Sequence, residues 1–267
     1  MHISQQPPFG WGYTPITKDG TSLEGTMMDF GVLRLRSGET YSCALPLERA
    51  FLVLEGKLTL VYGSEQQTVE RTSLFHQSPI CLHVPGEVIV ELRAETDSEV
   101  IMIRTVNEDS FTPVFYSQDD TRSERRGEGT MQETSTRIVR TIFDKTNAPD
   151  AKLVLGEVIN FPGKWSSYPP HHHVQPEIYH YRFLPENGFG ACVIGDDVFK
   201  VKHRSTTLIL EDNSHPQSSA PGYAMFYVWA IRHLDNDPYV TPTYPVFEEE
   251  HTWVMDDAAE IFPDRRD

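Results

Sequence analysis

Cysteine is scarce in this chain of 267 residues. Cys43, Cys81 and Cys192 lie too far apart for a structural zinc motif and are too few for a disulfide framework. Each reads as a small core residue or an ordinary thiol. Clustered basic residues are missing too, with 23 Lys and Arg against 39 Asp and Glu and a formal net charge of −16. Nucleic-acid surfaces depend on clustered Lys and Arg, so no nucleic-acid partner is expected. An anionic small molecule is not excluded, because local positive charge or a metal overrides the net field. No run approaches 18 consecutive apolar residues, and no membrane partner is expected. The opening Met1 to Pro8 has neither a basic segment followed by an apolar core nor a cleavage site, which reads as no export signal. A reducing cytoplasm is the simplest home.

Helical periodicity is nearly absent, and the apolar residues fall into short strands with Gly and Pro turns. Phe51 to Leu54 and Lys57 to Tyr62 flank Glu55-Gly56, a compact hairpin signal. Val88 to Leu92 and Glu99 to Ile103 follow. Residues 107–133 are polar and charged and read as a solvated linker, with Arg125 and Arg126 able to brace a neighbouring domain. A second strand-rich region runs from Thr136 to about His233.

The two regions share an order of events. A Gly-turned strand, a glutamate-led apolar hairpin, a Pro-Gly approach and a closing strand occur at Gly38, Glu48, Pro85-Gly86 and Val100 to Ile103. They recur at Gly163, Glu177, Pro221-Gly222 and Met225 to Trp229. The expectation is all-β, with two tandem β-barrels: an N-terminal one over 1–118, a C-terminal one over 119–245, and an acidic tail over 246–267 packed around Trp253. The first would serve as a structural or dimerising partner, which leaves a homo-oligomer open.

Histidines mark the second copy. In Tyr168-Pro169-Pro170-His171-His172-His173-Val174-Gln175-Pro176-Glu177, strand alternation sends His171 and His173 to one side and His172 to the other. Two imidazoles and a carboxylate can then converge, and His215 in Asn213-Ser214-His215-Pro216 supplies a fourth ligand. Such a nitrogen and oxygen shell suits zinc, iron or manganese. The first-half stretch Ala44-Leu45-Pro46-Leu47-Glu48 has no histidine. His76, His83, His180, His203, His233 and His251 lack matching partners and read as polar or surface residues.

The set His171, His173, Glu177 and His215 resembles a cupin metal site. The longer string Gly163-Lys164-Trp165-Ser166-Ser167-Tyr168-Pro169-Pro170-His171-His172-His173 is similar to the signature of bacterial 5-deoxyglucuronate isomerases of inositol catabolism. These share a family with 4-deoxy-5-keto-uronate isomerases of pectin breakdown. The likeness extends over most of the chain, through Arg125 to Gly129, Arg137 to Ile142, Glu177 to Arg182 and Ala220 to Tyr223. It implies a bicupin with a divalent metal, zinc first with manganese or iron as alternatives, in the C-terminal barrel. Two positions depart from the pattern: His172 stands where the family usually has lysine, and Val174 where it has aspartate. The rim of the pocket is altered while the ligand set is retained.

The resemblance implies a metal-dependent aldose-ketose isomerase acting on a deoxy sugar acid, with 5-deoxy-D-glucuronate to 2-deoxy-5-keto-D-gluconate as the expected conversion. A metal would stabilise charge on adjacent sugar oxygens during proton transfer. Glu177 is either a ligand, the favoured role, or the base. Tyr179 and Tyr227 are the candidate proton carriers, and Lys164 or Arg182 would pair with the substrate carboxylate. Alternation places Tyr179 and Tyr181, and not Arg182, on the face of Glu177. An iron-dependent cupin oxygenase and a non-catalytic sugar-binding cupin are the competing functions.

Overall fold

The computed structural model describes residues 1–3, 9–257 and 259–261. Residues 4–8 of the opening segment and 262–267 of the acidic tail lie outside them. Among the described residues no helix is long and apolar enough to cross a membrane.

The fold is mostly β. In the first half, Val114–Tyr116, Ile80–Val84, Glu48–Tyr62, Ser98–Thr105, Asp29–Leu35 and Gly12–Pro15 lie side by side in that order, with Thr40–Cys43, Glu65–Arg71 and Val90–Ala94 attached off this path. In the second half a seven-stranded sheet runs His2–Ile3, Thr206–Ile209, Glu177–Leu184, Ala224–Arg232, Leu153–Asn160, Arg137–Phe143 and Arg122–Arg126. A four-stranded sheet of Trp165–Ser166, Gln217–Ser219, Phe189–Ile194 and Asp197–Lys202 belongs to the same half. The hydrogen-bonded paths stay open. Closed barrels, expected from the strand spacing, are therefore corrected to open sheets layered against one another.

The expected hairpin at Glu55-Gly56 is also corrected. Glu48–Tyr62 is one continuous strand of 15 residues, and its hairpin partner is Glu65–Arg71. Gly56 has φ +107 and sits beside a register shift between Val53 and Glu55. A Cβ there would come within 2.3 Å of the Ser98 hydroxyl oxygen. Gly56 thus marks a bulge, not a turn: it bends the strand so that its first part pairs with Ile80–Val84 and its second with Val90–Ala94. A Gly flanked by two apolar runs fits either geometry, and only the non-local partners decide between them.

Three clusters of buried side chains organise the molecule. Leu33, Phe51, Val53, Leu58 and Leu60 fill the interior of the first half. Tyr179, Tyr181, Phe183, Cys192 and Tyr227 belong to that of the second. The third lies between the halves, where Phe30, Leu52 and Ile101 meet Phe143, Ile178 and Phe226. Each fully buried side chain of this size contributes about 1.5–3 kcal/mol. Ion pairs cross the same seam. Arg71 grips Glu157 bidentately at 2.7 and 2.8 Å, and Arg182 pairs with Glu99. His2–Ile3 crosses over to pair with Thr206 and Thr207.

The polar stretch 107–133 is more than a linker. Val114–Tyr116 pairs with Ile80–Val84, and the exposed strand Arg122–Arg126 edges the second sheet. In the tail, Val246–Phe247 pairs with His171–His172, and a 3-10 turn spans Glu249–Met255 with Trp253 exposed.

Candidate metal centre

Glu177 opens the strand Glu177–Leu184, flanked by Ala224–Arg232 and Thr206–Ile209. Central position and β-branched or aromatic neighbours keep it buried. Alternation along this strand sends Glu177, Tyr179 and Tyr181 into the second half's interior and Ile178, His180 and Arg182 toward the first half. Tyr179 and Tyr181 accordingly sit in the inner core and Ile178 in the seam.

The structure brings His173, Glu177 and His215 together, all buried, with ligand atoms within 4.8 Å of one another. Glu177 Oε2 lies 3.2 Å from His173 Nε2 and 3.3 Å from His215 Nε2. His171 stands beside this triad without entering its spacing, edge-to-face on His215 with ring centroids 4.9 Å apart. His172 points away and pairs with Asp212 at 2.7 Å.

Backbone carbonyls set the tautomers. His173 Nδ1 meets Gln175 O at 2.9 Å, His215 Nδ1 meets Asn213 O at 2.9 Å, and His171 Nδ1 meets Pro169 O at 3.2 Å. A carbonyl only accepts, so each Nδ1 carries the hydrogen, and in a neutral ring Nε2 is then a lone pair. Burial, ahead of the neighbouring charges, pushes the His215 pKa down and that of His171 well down, which keeps both rings neutral near pH 7. His215 Nε2 is buried without a hydrogen-bond partner. Lone pairs of imidazole and carboxylate thus converge on a common point, an arrangement that a cation relieves. The donor set fits zinc, manganese or iron.

These side chains line a cavity of about 230 Å³ together with Tyr179, Tyr227 and Trp229. Phe226 and Val228, the alternate residues of the same strand, belong to the seam instead. Tyr227 and Ser166 hydroxyls meet at 2.6 Å, and Tyr179 and Ser167 at 3.2 Å. Ser167 has φ +52, a left-handed turn that lets two consecutive serines reach two different phenols. Burial raises both phenol pKa values, that of Tyr227 to about 12 and that of Tyr179 well above its ordinary value. Both are therefore hydrogen-bond donors near neutral pH.

The two predicted carboxylate binders are not in this cavity. Arg182 is buried on the opposite face of its strand, against Glu99 and His180. Lys164 is absent from the cavity wall, whose charged residues besides Glu177 are Arg126, Arg137, Lys145 and Asp144. Alternation could have found Arg137, since it is in phase with Val139 and Thr141, which also line the cavity. Tyr239, edge-to-face on His173 at 4.9 Å, has no such signal, because it comes from a loop without periodicity.

A model described as the KduI/IolB family matches residues 12–254. Similar curated proteins include the 5-deoxy-glucuronate isomerase of Geobacillus thermodenitrificans, 26% identical over 255 residues, spanning 85% of this chain and 86% of its own. The protein of the same name from Bacillus subtilis (strain 168) is 26% identical over 223 residues, spanning 76% and 80%. Among solved structures, an IolB-like protein from Salmonella typhimurium LT2 superposes with a TM-score of 0.77 at 22% identity, covering 95% of this chain and 94% of that one. A cupin 2 conserved barrel domain protein from Leptotrichia buccalis gives 0.52 at 10% identity, covering 87% and 96%. At these identities the structural likeness establishes a cupin-like fold.

Proposed function

The chain belongs to the KduI/IolB family, and from that premise we propose that it is a metal-dependent aldose-ketose isomerase converting 5-deoxy-D-glucuronate to 2-deoxy-5-keto-D-gluconate in inositol catabolism. One observation carries the metal dependence: the lone pairs of His173, Glu177 and His215 converge in a buried cavity. The relatives' name, 5-deoxy-glucuronate isomerase, supports the substrate. In this reading residues 1–118 and 119–245 are the two cupin units of a bicupin, 246–267 is the tail, and the protein works in the cytoplasm, with a homo-oligomer as its assembly.

His171, His173, Glu177 and His215 would hold the metal, zinc by preference with manganese or iron as alternatives. When bound, it supplies Lewis-acid stabilisation of negative charge on the substrate's carbonyl and neighbouring hydroxyl oxygens. Glu177 turns Oε2 to both imidazoles, which leaves Oε1 to take the proton from one carbon and return it to the adjacent one, so that the isomerisation has no net proton change. Tyr227 and Tyr179, held by Ser166 and Ser167, donate hydrogen bonds to the sugar oxygens where charge builds. The buried side chains of His173, Glu177, Tyr179, His215 and Tyr227 give these contacts a low-dielectric setting that strengthens them.

The test is anaerobic incubation of zinc-loaded protein with 5-deoxy-D-glucuronate, following ketose formation. Turnover without oxygen is expected. Turnover only with iron and dioxygen would contradict the isomerase, and turnover of another sugar acid alone would contradict the substrate.

A further inference from the structure

Arg137 is a buried cation lining the metal cavity, and neither carboxylate of that wall, Glu177 or Asp144, forms an ion pair with it. Its strand, Arg137–Phe143, directs Arg137, Val139 and Thr141 into the cavity, while Ile142 enters the seam and Arg140 reaches Glu157. Among the described residues no carboxylate pairs with Arg137. Its Nη1 donates to the Ser135 carbonyl and hydroxyl, both at 2.7 Å, and its Nη2 reaches Tyr168 O only at 3.5 Å. Of the other buried arginines, Arg71, Arg140 and Arg182 have glutamates, while Arg49 and Arg232 face no carboxylate but direct their donors to five and three oxygen acceptors, and neither lines the cavity.

Arg126 lies directly opposite Arg137 in the strand pairing and lines the same cavity. Like charges in register repel. Glu124, 2.8 Å from Arg126 Nε, is exposed and offsets this only in part. A guanidinium fork with one arm held only by a long contact, beside a second cation and sharing a cavity with a metal-ligand set, is suited to a carboxylate. The cavity, about 230 Å³, is below the roughly 300–1,000 Å³ of drug-sized pockets and suits a small sugar acid.

We infer that Arg137, assisted by Arg126, is the carboxylate subsite of this cavity, so that a sugar acid binds with its acid group on Arg137 and its carbonyl end at His173, Glu177 and His215. This rests on the isomerase reading for the identity of the sugar, but not for the subsite itself. Arg137 is then a specificity residue for uronates over neutral sugars.

The test titrates zinc-loaded wild type, R137Q and R137K by calorimetry with D-glucuronate and with its neutral isostere D-glucuronamide. Wild type should prefer glucuronate, and R137Q should lose glucuronate affinity by about 10- to 100-fold. Glucuronamide affinity and zinc content should stay within about threefold, and R137K, which keeps charge but not the fork, should fall between. If R137Q does not fold, R137K gives the same comparison. Unchanged glucuronate affinity in the variants, an equal loss for the amide, or no preference in wild type would overturn the subsite. Charge-selective binding without turnover would leave the subsite standing and sink the isomerase; turnover with an unaltered KM in R137Q would do the reverse.

Discussion

Glu48 and Glu177 open corresponding strands in the two halves, both are buried and both meet a histidine, yet they are built for different work. Glu48 is surrounded by donors: His83 Nε2 at 2.9 Å, Asn107 Nδ2 at 2.7 Å, and the Lys152 and Leu153 amides at 2.8 and 3.2 Å. Those amides belong to the second half, so Glu48 locks the halves together. The donors hold its pKa down even though burial, the largest influence, pushes it up. Glu177 instead faces nitrogens whose hydrogens point elsewhere. A buried carboxylate saturated by donors is structural, whereas one facing acceptors calls for a cation. The interiors differ in the same way, mainly aliphatic in the first half, while in the second the phenols of Tyr179 and Tyr227 line a cavity.

The largest effect that could break this contrast is on activity. E177A and H215A should each lower kcat/KM by on the order of 10³-fold or more, since several kcal/mol of charge stabilisation go with the metal. Steady-state kinetics on zinc-loaded variants checks it. E48A should leave turnover per folded molecule near wild type but destabilise the fold by about 3–5 kcal/mol, because it strands buried partners at the seam. Denaturant melts read this directly, and a loss of activity with intact stability would erase the distinction. Within the second half, Y227F should lower kcat by about 100-fold with little change in KM. An unchanged kcat would remove Tyr227 from the chemistry.

The smallest effect is on acid stability. Burial, the first cause in each case, pushes His203 and His233 down to about 4 and His180 well below its ordinary value. The unfolded chain takes up these protons near pH 6.5, before the folded one does. Their stabilisation is complete above about 6.5 and declines as pH falls toward about 4. Melting temperatures from pH 8 to 5 should fall on the acid side, and H233Q should flatten the slope. A wild-type profile flat over that range would contradict it.

Much of this was legible in the sequence, for local reasons. Alternation from Glu177 is enough to separate Tyr179 and Tyr181 from Arg182, and the His173 to Glu177 spacing brings two ligands together within five residues. What escaped is non-local. His83 reads as partnerless because Glu48 is 35 residues away. Alternation puts Arg137 in phase with Val139 and Thr141, but its lack of a carboxylate is a property of the folded cavity and has no local signal. Val246–Phe247, in the presumed surface tail, pairs with His171–His172 through register alone. Open sheets and closed barrels share one alternation pattern, so strand spacing does not separate them.

The contrast between the two glutamates is tested most directly by the metal content of E48Q and E177Q, measured by inductively coupled plasma mass spectrometry after zinc loading and dialysis. E48Q and wild type should each retain one zinc per folded chain, and E177Q should retain almost none. Full zinc in E177Q, or its loss from folded E48Q, would contradict the assignment of the metal to the second half.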